Sequence, residues 1–258
     1  MGATQYLVMT LPEIRAASSL PERVAYLGLH FSPSADNLAG FPERLPGGSL
    51  LLLDDRVPPT RHTPEKILPR LQELVESTGC AGVYLDFQQP DHPETGAFAR
   101  RIAEALPVPV GVSCLYARAL SCPVVLPPFP LDRSPREVPA PWAGREIWAE
   151  QGTDALLMTL DAAGCHSSPA VPGDPAGSFF SPALTCRYRI RTFPDHGEFL
   201  LWRDGTTLPR QAEILGELGI TRILTPYREV FPGKQVGSTP PKAGSTAVSG
   251  SHRSSFVL

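Results

Sequence analysis

Residues 82–90, Gly82-Val83-Tyr84-Leu85-Asp86-Phe87-Gln88-Gln89-Pro90, decide the fold. Val83, Leu85 and Phe87 alternate with Tyr84, Asp86 and Gln88, the period of two that marks a strand, and the chain turns at Pro90. A helical pattern follows from Glu94 to Leu106, with Phe98, Ile102 and Leu106 at four-residue steps. A buried strand feeding a helix is one unit of a parallel α/β protein, where side chains at the strand ends face the ligand. Asp86 and Gln88 therefore lean the same way, toward the mouth of the pocket such a fold makes.

The same unit recurs on both sides. Apolar runs at Tyr6 to Met9, Val24 to Leu29, Leu50 to Leu53, Val108 to Val112, Val124 to Leu126 and Ile220 to Leu224 predict further strands. Several are almost continuously apolar, as strands covered on both faces must be. Two more helices are predicted. One starts at Thr63 as N-cap with Pro64 in its first position, carries Ile67, Leu68, Leu71, Leu74 and Val75 on one face, and ends near Gly79; the other spans Leu208 to Leu218 and stops at Gly219. Residues 146–203 break the rhythm with short apolar runs joined by Gly, Pro and Asp clusters, a hairpin pattern, and Ser167 to Pro182 within them reads as a flexible loop. The fold class is α/β: residues 1–232 form one irregular or incomplete (β/α)8 TIM-like barrel with an antiparallel β-rich insertion. An open doubly wound sheet is the rival architecture. Residues 233–258 hold Gly, Ser, Thr and Pro in quantity and no Asp or Glu, and read as a disordered tail.

Composition narrows the function. The chain has 258 residues, is 42% hydrophobic, and carries a formal charge of −3, nearer −6 once the tail's Lys234, Lys242 and Arg253 are set aside. Nucleic acid is a poor partner for such a surface, which has no basic stripe with interleaved aromatics. No apolar run reaches the ~20 residues of a membrane span, and the first 20 residues, with Glu13 amid their apolar stretch, do not read as a secretory signal. Cys80, Cys114, Cys122, Cys165 and Cys186 are odd in number and form no Cys-x-x-Cys, so reduced thiols in a cytoplasmic protein are expected rather than disulfides or zinc. His30, His62 and His92 show no ligand spacing and no Gly-rich phosphate loop occurs, so neither metal nor cofactor is expected. The sequence assigns no oligomeric state.

The polar groups at strand ends remain. Asp54 and Asp55 follow the Leu50–Leu53 run, Tyr116 lies beyond Ser113, Trp148 and Glu150 follow Ile147, and Tyr227 and Glu229 follow the last strand. Acids, an amide and aromatic faces together suit a saccharide, whose ring stacks and whose hydroxyls take paired hydrogen bonds. Each residue also has a structural reading. Asp54 and Asp55 suit capping the turn or pairing with Arg56, and Trp148 and Tyr227 suit core packing. Asp86 is the stronger candidate, because a carboxylate after an apolar run is costly unless something satisfies or uses it.

The segment Ala81-Gly82-Val83-Tyr84-Leu85-Asp86-Phe87-Gln88 resembles the fourth-strand motif D-G-x-D-x-D-x-E of the family 18 glycoside hydrolases, the chitinase-like barrels. Gly82, the apolar spacers, Asp86 and the aromatic Phe87 fit; Ala81, Tyr84 and Gln88 replace two aspartates and the glutamate. Trp202, the helix from Leu208 and Leu218-Gly219-Ile220 also occur in the family's order, so the likeness spans residues 24–231. The resemblance implies a barrel that holds a saccharide around Asp86 and Gln88, with Asp54, Asp55, Tyr116, Trp148, Glu150 and Tyr227 nearby. It also implies lost hydrolysis, since in that family the glutamate protonates the leaving oxygen and a carboxamide cannot. Two rivals stand beside this reading. Another carboxylate, Asp54, Asp55, Glu150 or Glu229, serves as the acid of a glycosidase, or the barrel survives only as an interaction scaffold.

Overall fold

The computed structural model describes residues 2–34, 36–89, 93–118, 120–137 and 142–231. The predicted tail lies outside them. Eight parallel strands form a closed barrel: β1 (Thr4–Met9), β2 (Val24–Phe31), β4 (Leu50–Asp54), β5 (Gly82–Asp86), β6 (Val110–Ser113), β7 (Val124–Leu126), β8 (Ile147–Glu150) and β14 (Arg222–Pro226). The short β3 (Leu38–Ala39) pairs antiparallel with the end of β2. β1 bonds β14 on one side and β2 on the other, which closes the ring and rules out the open doubly wound sheet. The barrel is nevertheless irregular. β2 carries a register shift between Leu27 and Leu29, after which His30 stands beside Asp54 and Asp54 beside Asp86.

Side chains pointing into a barrel alternate with those pointing out, so one strand supplies two cores. Tyr6, Ala25, Leu50, Leu52, Tyr84, Val125, Trp148 and Leu224 fill the interior. Val83, Leu85 and Phe87 point the other way, into the layer that also buries Ile67, Leu71, Phe98 and Ile102 of the surrounding helices. The long helices α2 (Pro64–Thr78), α3 (Pro93–Ala105) and α5 (Leu208–Glu217) match their predicted patterns, and Gly79 ends α2 with a left-handed φ of 58°. Three short helices, α1 (Leu11–Ala16), α4 (Cys114–Ala117) and α6 (Tyr227–Val230), escape a pattern search because four to six residues are too few to show a period. α1 and α6, which follow the first and last strands of the barrel, are tied together. Buried Glu13 accepts a hydrogen bond from the Thr10 N–H at 2.7 Å and from Arg228 Nε of α6 at 2.6 Å.

Between β8 and α5 the chain builds a second, five-stranded antiparallel sheet in the order β10-β9-β13-β12-β11: β9 (Ala155–Asp161), β10 (Gly164–Pro169), β11 (Phe179–Ser181), β12 (Cys186–Thr192) and β13 (Gly197–Trp202). The loop predicted over 167–182 thus contains the end of one strand and the whole of another. Ser167, Ser168 and Pro169 of β10 hid it, since an outer strand needs no apolar face to pair through its backbone. Arg203, fully buried, fastens this sheet to the barrel: its guanidinium donates to the carbonyls of Phe129, Pro130 and Leu184.

Candidate functional site

The carboxyl ends of the eight strands open on one mouth, and β5 places Tyr84 and Asp86 two residues apart on its interior side. Gln88 comes next in that alternation. The loop carrying it is tied down at several points: Asp55 accepts the N–H groups of Gln88 and Gln89 at 3.1 and 3.0 Å, the Ser113 hydroxyl donates to Phe87 O at 2.6 Å, and Tyr116 Oη donates to Gln89 O at 3.0 Å.

Four side chains meet in the mouth. Gln88 Nε2 donates to Asp86 Oδ1 at 2.5 Å, and Tyr84 Oη lies 3.1 Å from the same oxygen. That phenolic oxygen is also 3.0 Å from Glu150 Oε1, contributed by β8 on the far side of the barrel. The chain Gln88–Asp86–Tyr84–Glu150 thus spans the mouth above a floor made by the Tyr84 ring. Burial raises the Asp86 carboxyl above its ordinary range, while the Gln88 amide and the Tyr84 hydroxyl oppose the rise. Burial, and then the Asp86 charge, push Glu150 up to about 7 against the Tyr84 hydrogen bond. Asp86 Oδ2, Glu150 Oε2 and Gln88 Oε1 accept no hydrogen bond from the described residues.

The remaining sequence candidates separate from this group. Asp54 reaches the mouth but is held by Arg56, whose Nε donates to both carboxylate oxygens at 2.8 and 2.9 Å. Asp55 is buried and spent on the backbone it clamps. Trp148 is wholly buried inside the barrel, two residues below Glu150; its indole N–H donates to Glu146, and the Arg222 guanidinium lies 4.4 Å from its ring centroid. It offers no stacking face at the mouth. The space it occupies exists because residue 111 is glycine: a Cβ there would sit 2.4 Å from the indole ring. Tyr116 belongs to the helix-side core, edge-on to Phe87, and Tyr227 is buried against Phe231 in the same layer. Glu229 accepts the Thr153 N–H at 2.7 Å and braces the start of the second sheet. The residue the sequence reading passed over is Tyr84, seen there only as a lost aspartate. Its position two residues before Asp86 in a buried strand is the signal that both share one face.

Among the described residues no three His, Cys, Asp or Glu side chains group as a metal site, and no helix is long and apolar enough to cross a membrane.

No protein-family model matches the chain, and no curated protein matches it in sequence. Solved structures match its fold. The spore cortex-lytic enzyme SleL of Bacillus megaterium QM B1551 superposes with a TM-score of 0.55 at 10% identity, over 87% of this chain and 70% of that one. A glycoside hydrolase family 18 N-acetylglucosaminidase from Paenibacillus barengoltzii gives 0.53 at 10% identity over 90% and 98% of the two chains. Human YKL-39, described as a pseudo-chitinase with retained chitooligosaccharide binding properties, gives 0.53 at 11% identity over 87% and 92%. At such identities the likeness is one of architecture, and the chain has the barrel fold shared by family 18 chitinases and chitinase-like proteins.

Proposed function

We propose that this protein binds a saccharide containing N-acetylglucosamine at the strand-end mouth, and that Gln88 takes no part in proton transfer there. The carrying observation is the chain Gln88–Asp86–Tyr84–Glu150, which holds in fixed places three acceptor oxygens that no described residue claims. Sugar hydroxyls and amide N–H groups are the donors that fit them. Because Trp148, Tyr116 and Tyr227 are buried, recognition rests on these polar groups rather than on ring stacking. Gln88 occupies the place where the resembling motif has its acid, and its amide is spent holding Asp86. The five free thiols fit a reducing compartment such as the cytoplasm.

Titration calorimetry with N-acetylglucosamine oligomers and peptidoglycan fragments tests this reading. Binding is expected, and Asp86→Ala should weaken it about tenfold, the scale of one charge-assisted hydrogen bond. Heat-silent titrations with every oligomer, matched by unchanged melting temperatures, would sink it.

A further inference from the structure

The second sheet has one covered face and one open face. On the covered side the segment after β10 crosses the strands: a Cβ on Gly173 would meet Leu200 at 3.1 Å and Trp202 at 3.2 Å, and Arg189 donates to the carbonyls of Asp174 and Ala176. Pairing register puts every charged side chain of the five strands, Asp161, His166, Arg187, Arg189, Arg191 and Glu198, on that same side. The strands leave their other face uncharged and largely open. Phe179, Leu160 and Ile190 there are 61%, 52% and 48% exposed, and among the described residues beyond the strands Leu131 and Leu184 pack on one end of it. The open face is also uneven. Its β9 and β10 side holds a dent of about 260 Å³ walled by Met158, Leu160, Phe199, Leu201 and Asp132, while its β12 and β11 side carries the exposed Ile190 and Phe179. An apolar cavity of about 150 Å³ already holds a benzene ring.

We propose that this open face is the interface of a homodimer, in which the same sheet of a second copy supplies the missing layer of a β-sandwich. Charges near a two-fold axis would meet their own sign, and the strands put none on this face. Packed sheets align within about 30° and stand about 10 Å apart, so the row Ile190, Phe199 and Met158 can interdigitate with its copy. β13 is the middle strand of the five, and an axis parallel to it exchanges the two sides of the sheet. Ile190 then enters the partner's dent beside the partner's Met158, and Phe199 meets its own copy on the axis. An axis across the strands would instead set dent on dent. The area suffices as well. Five strands about 4.8 Å apart and about six residues long outline about 500 Å² per copy, so the pair buries about 1,000 Å², the lower limit of a specific interface. A dimer of that size forms at micromolar concentration and comes apart on dilution.

Sedimentation equilibrium on the full-length protein, from nanomolar to near-millimolar concentration, tests this. The mass should rise from monomer to dimer across the micromolar range. Ile190→Glu, which plants a charge in the partner's dent, should raise the dissociation constant about 100-fold or more, and should leave the melting temperature of the dilute protein unchanged. Arg191→Glu, one residue along on the charged face, should leave the dissociation constant as it is. A short bismaleimide should join Phe199→Cys to its copy in a Cys165→Ser background, which removes the exposed native thiol. In the natural chain Cys165, on the open face beside Leu160, should react with a maleimide more slowly as protein concentration rises. A monomer at every concentration would overturn the proposal, as would a dimer equally tight in Ile190→Glu. If N-acetylglucosamine oligomers shield Cys165 and protein concentration does not, the face belongs to the ligand and the dimer is refuted.

Discussion

The barrel and the sheet inserted after β8 use the same residue types to different ends. In β4 every residue is buried, because a parallel strand is covered by side chains inside and by helices outside. In β9 and β12 hardly any residue is fully buried, and Leu160, Phe179 and Ile190 are exposed. Alternation puts Leu156, Met158 and Leu160 on one face with Phe199, Leu201, Tyr188 and Ile190, and only the end of that face nearest the barrel packs, on Leu131 and Leu184. Apolar composition alone does not make a core; a second layer does. Chemistry follows the same division, since the desolvated acids stand on the barrel, where burial is deep enough to move their proton affinities.

The largest expected effect lies in the barrel interior. Trp148→Ala should cost about 3–5 kcal/mol in denaturant unfolding, as deleting a buried ring does. A loss comparable to that of a surface residue would mean the interior collapses freely, and the contrast with the sheet would fail. A smaller effect separates the mouth from the rest of the barrel. Glu150 keeps its proton to about 7 in the folded chain and releases it near 4.5 when unfolded, so between those values the fold binds the extra proton and stability falls as pH rises. The raised Asp86 adds in the same direction. The decline should be on the order of 3 kcal/mol, be flat above the upper value, and shrink in Glu150→Gln when melting temperature is followed from pH 4.5 to 8. Equal slopes in both proteins would place the titrating group elsewhere. The smallest effect belongs to the sheet, where Leu160→Ala and Ile190→Ala should change stability by no more than about 0.5 kcal/mol.

Much of the barrel was legible because its strands are continuous apolar runs and its long helices announce their ends, Thr63-Pro64 and Gly79 among them. Strand limits were less so: Val108 and Ile220 precede their strands, which begin at Val110 and Arg222. A barrel was expected, but whether its ring was complete stayed open, since β1 meets β14 through backbone bonds that carry no mark in the side chains. At the site, the period of two placed Asp86 and Gln88 together. The same period applied to Trp148 and Glu150 puts the tryptophan beneath the acid, inside the barrel, which composition alone does not reveal. The role of Tyr84 depends on Glu150 arriving from a strand 66 residues away, a meeting only the closed ring creates.

The clasp between Glu13 and Arg228, 215 residues apart, sets a rule for how the molecule comes into being. Until β14 leaves the ribosome, β1 and β8 are bare edges, and the nascent chain has everything but its keystone. Closure of the ring therefore waits for β14, and a ribosome stalled before Arg222 would leave an open seven-stranded sheet with two sticky edges for chaperones to guard.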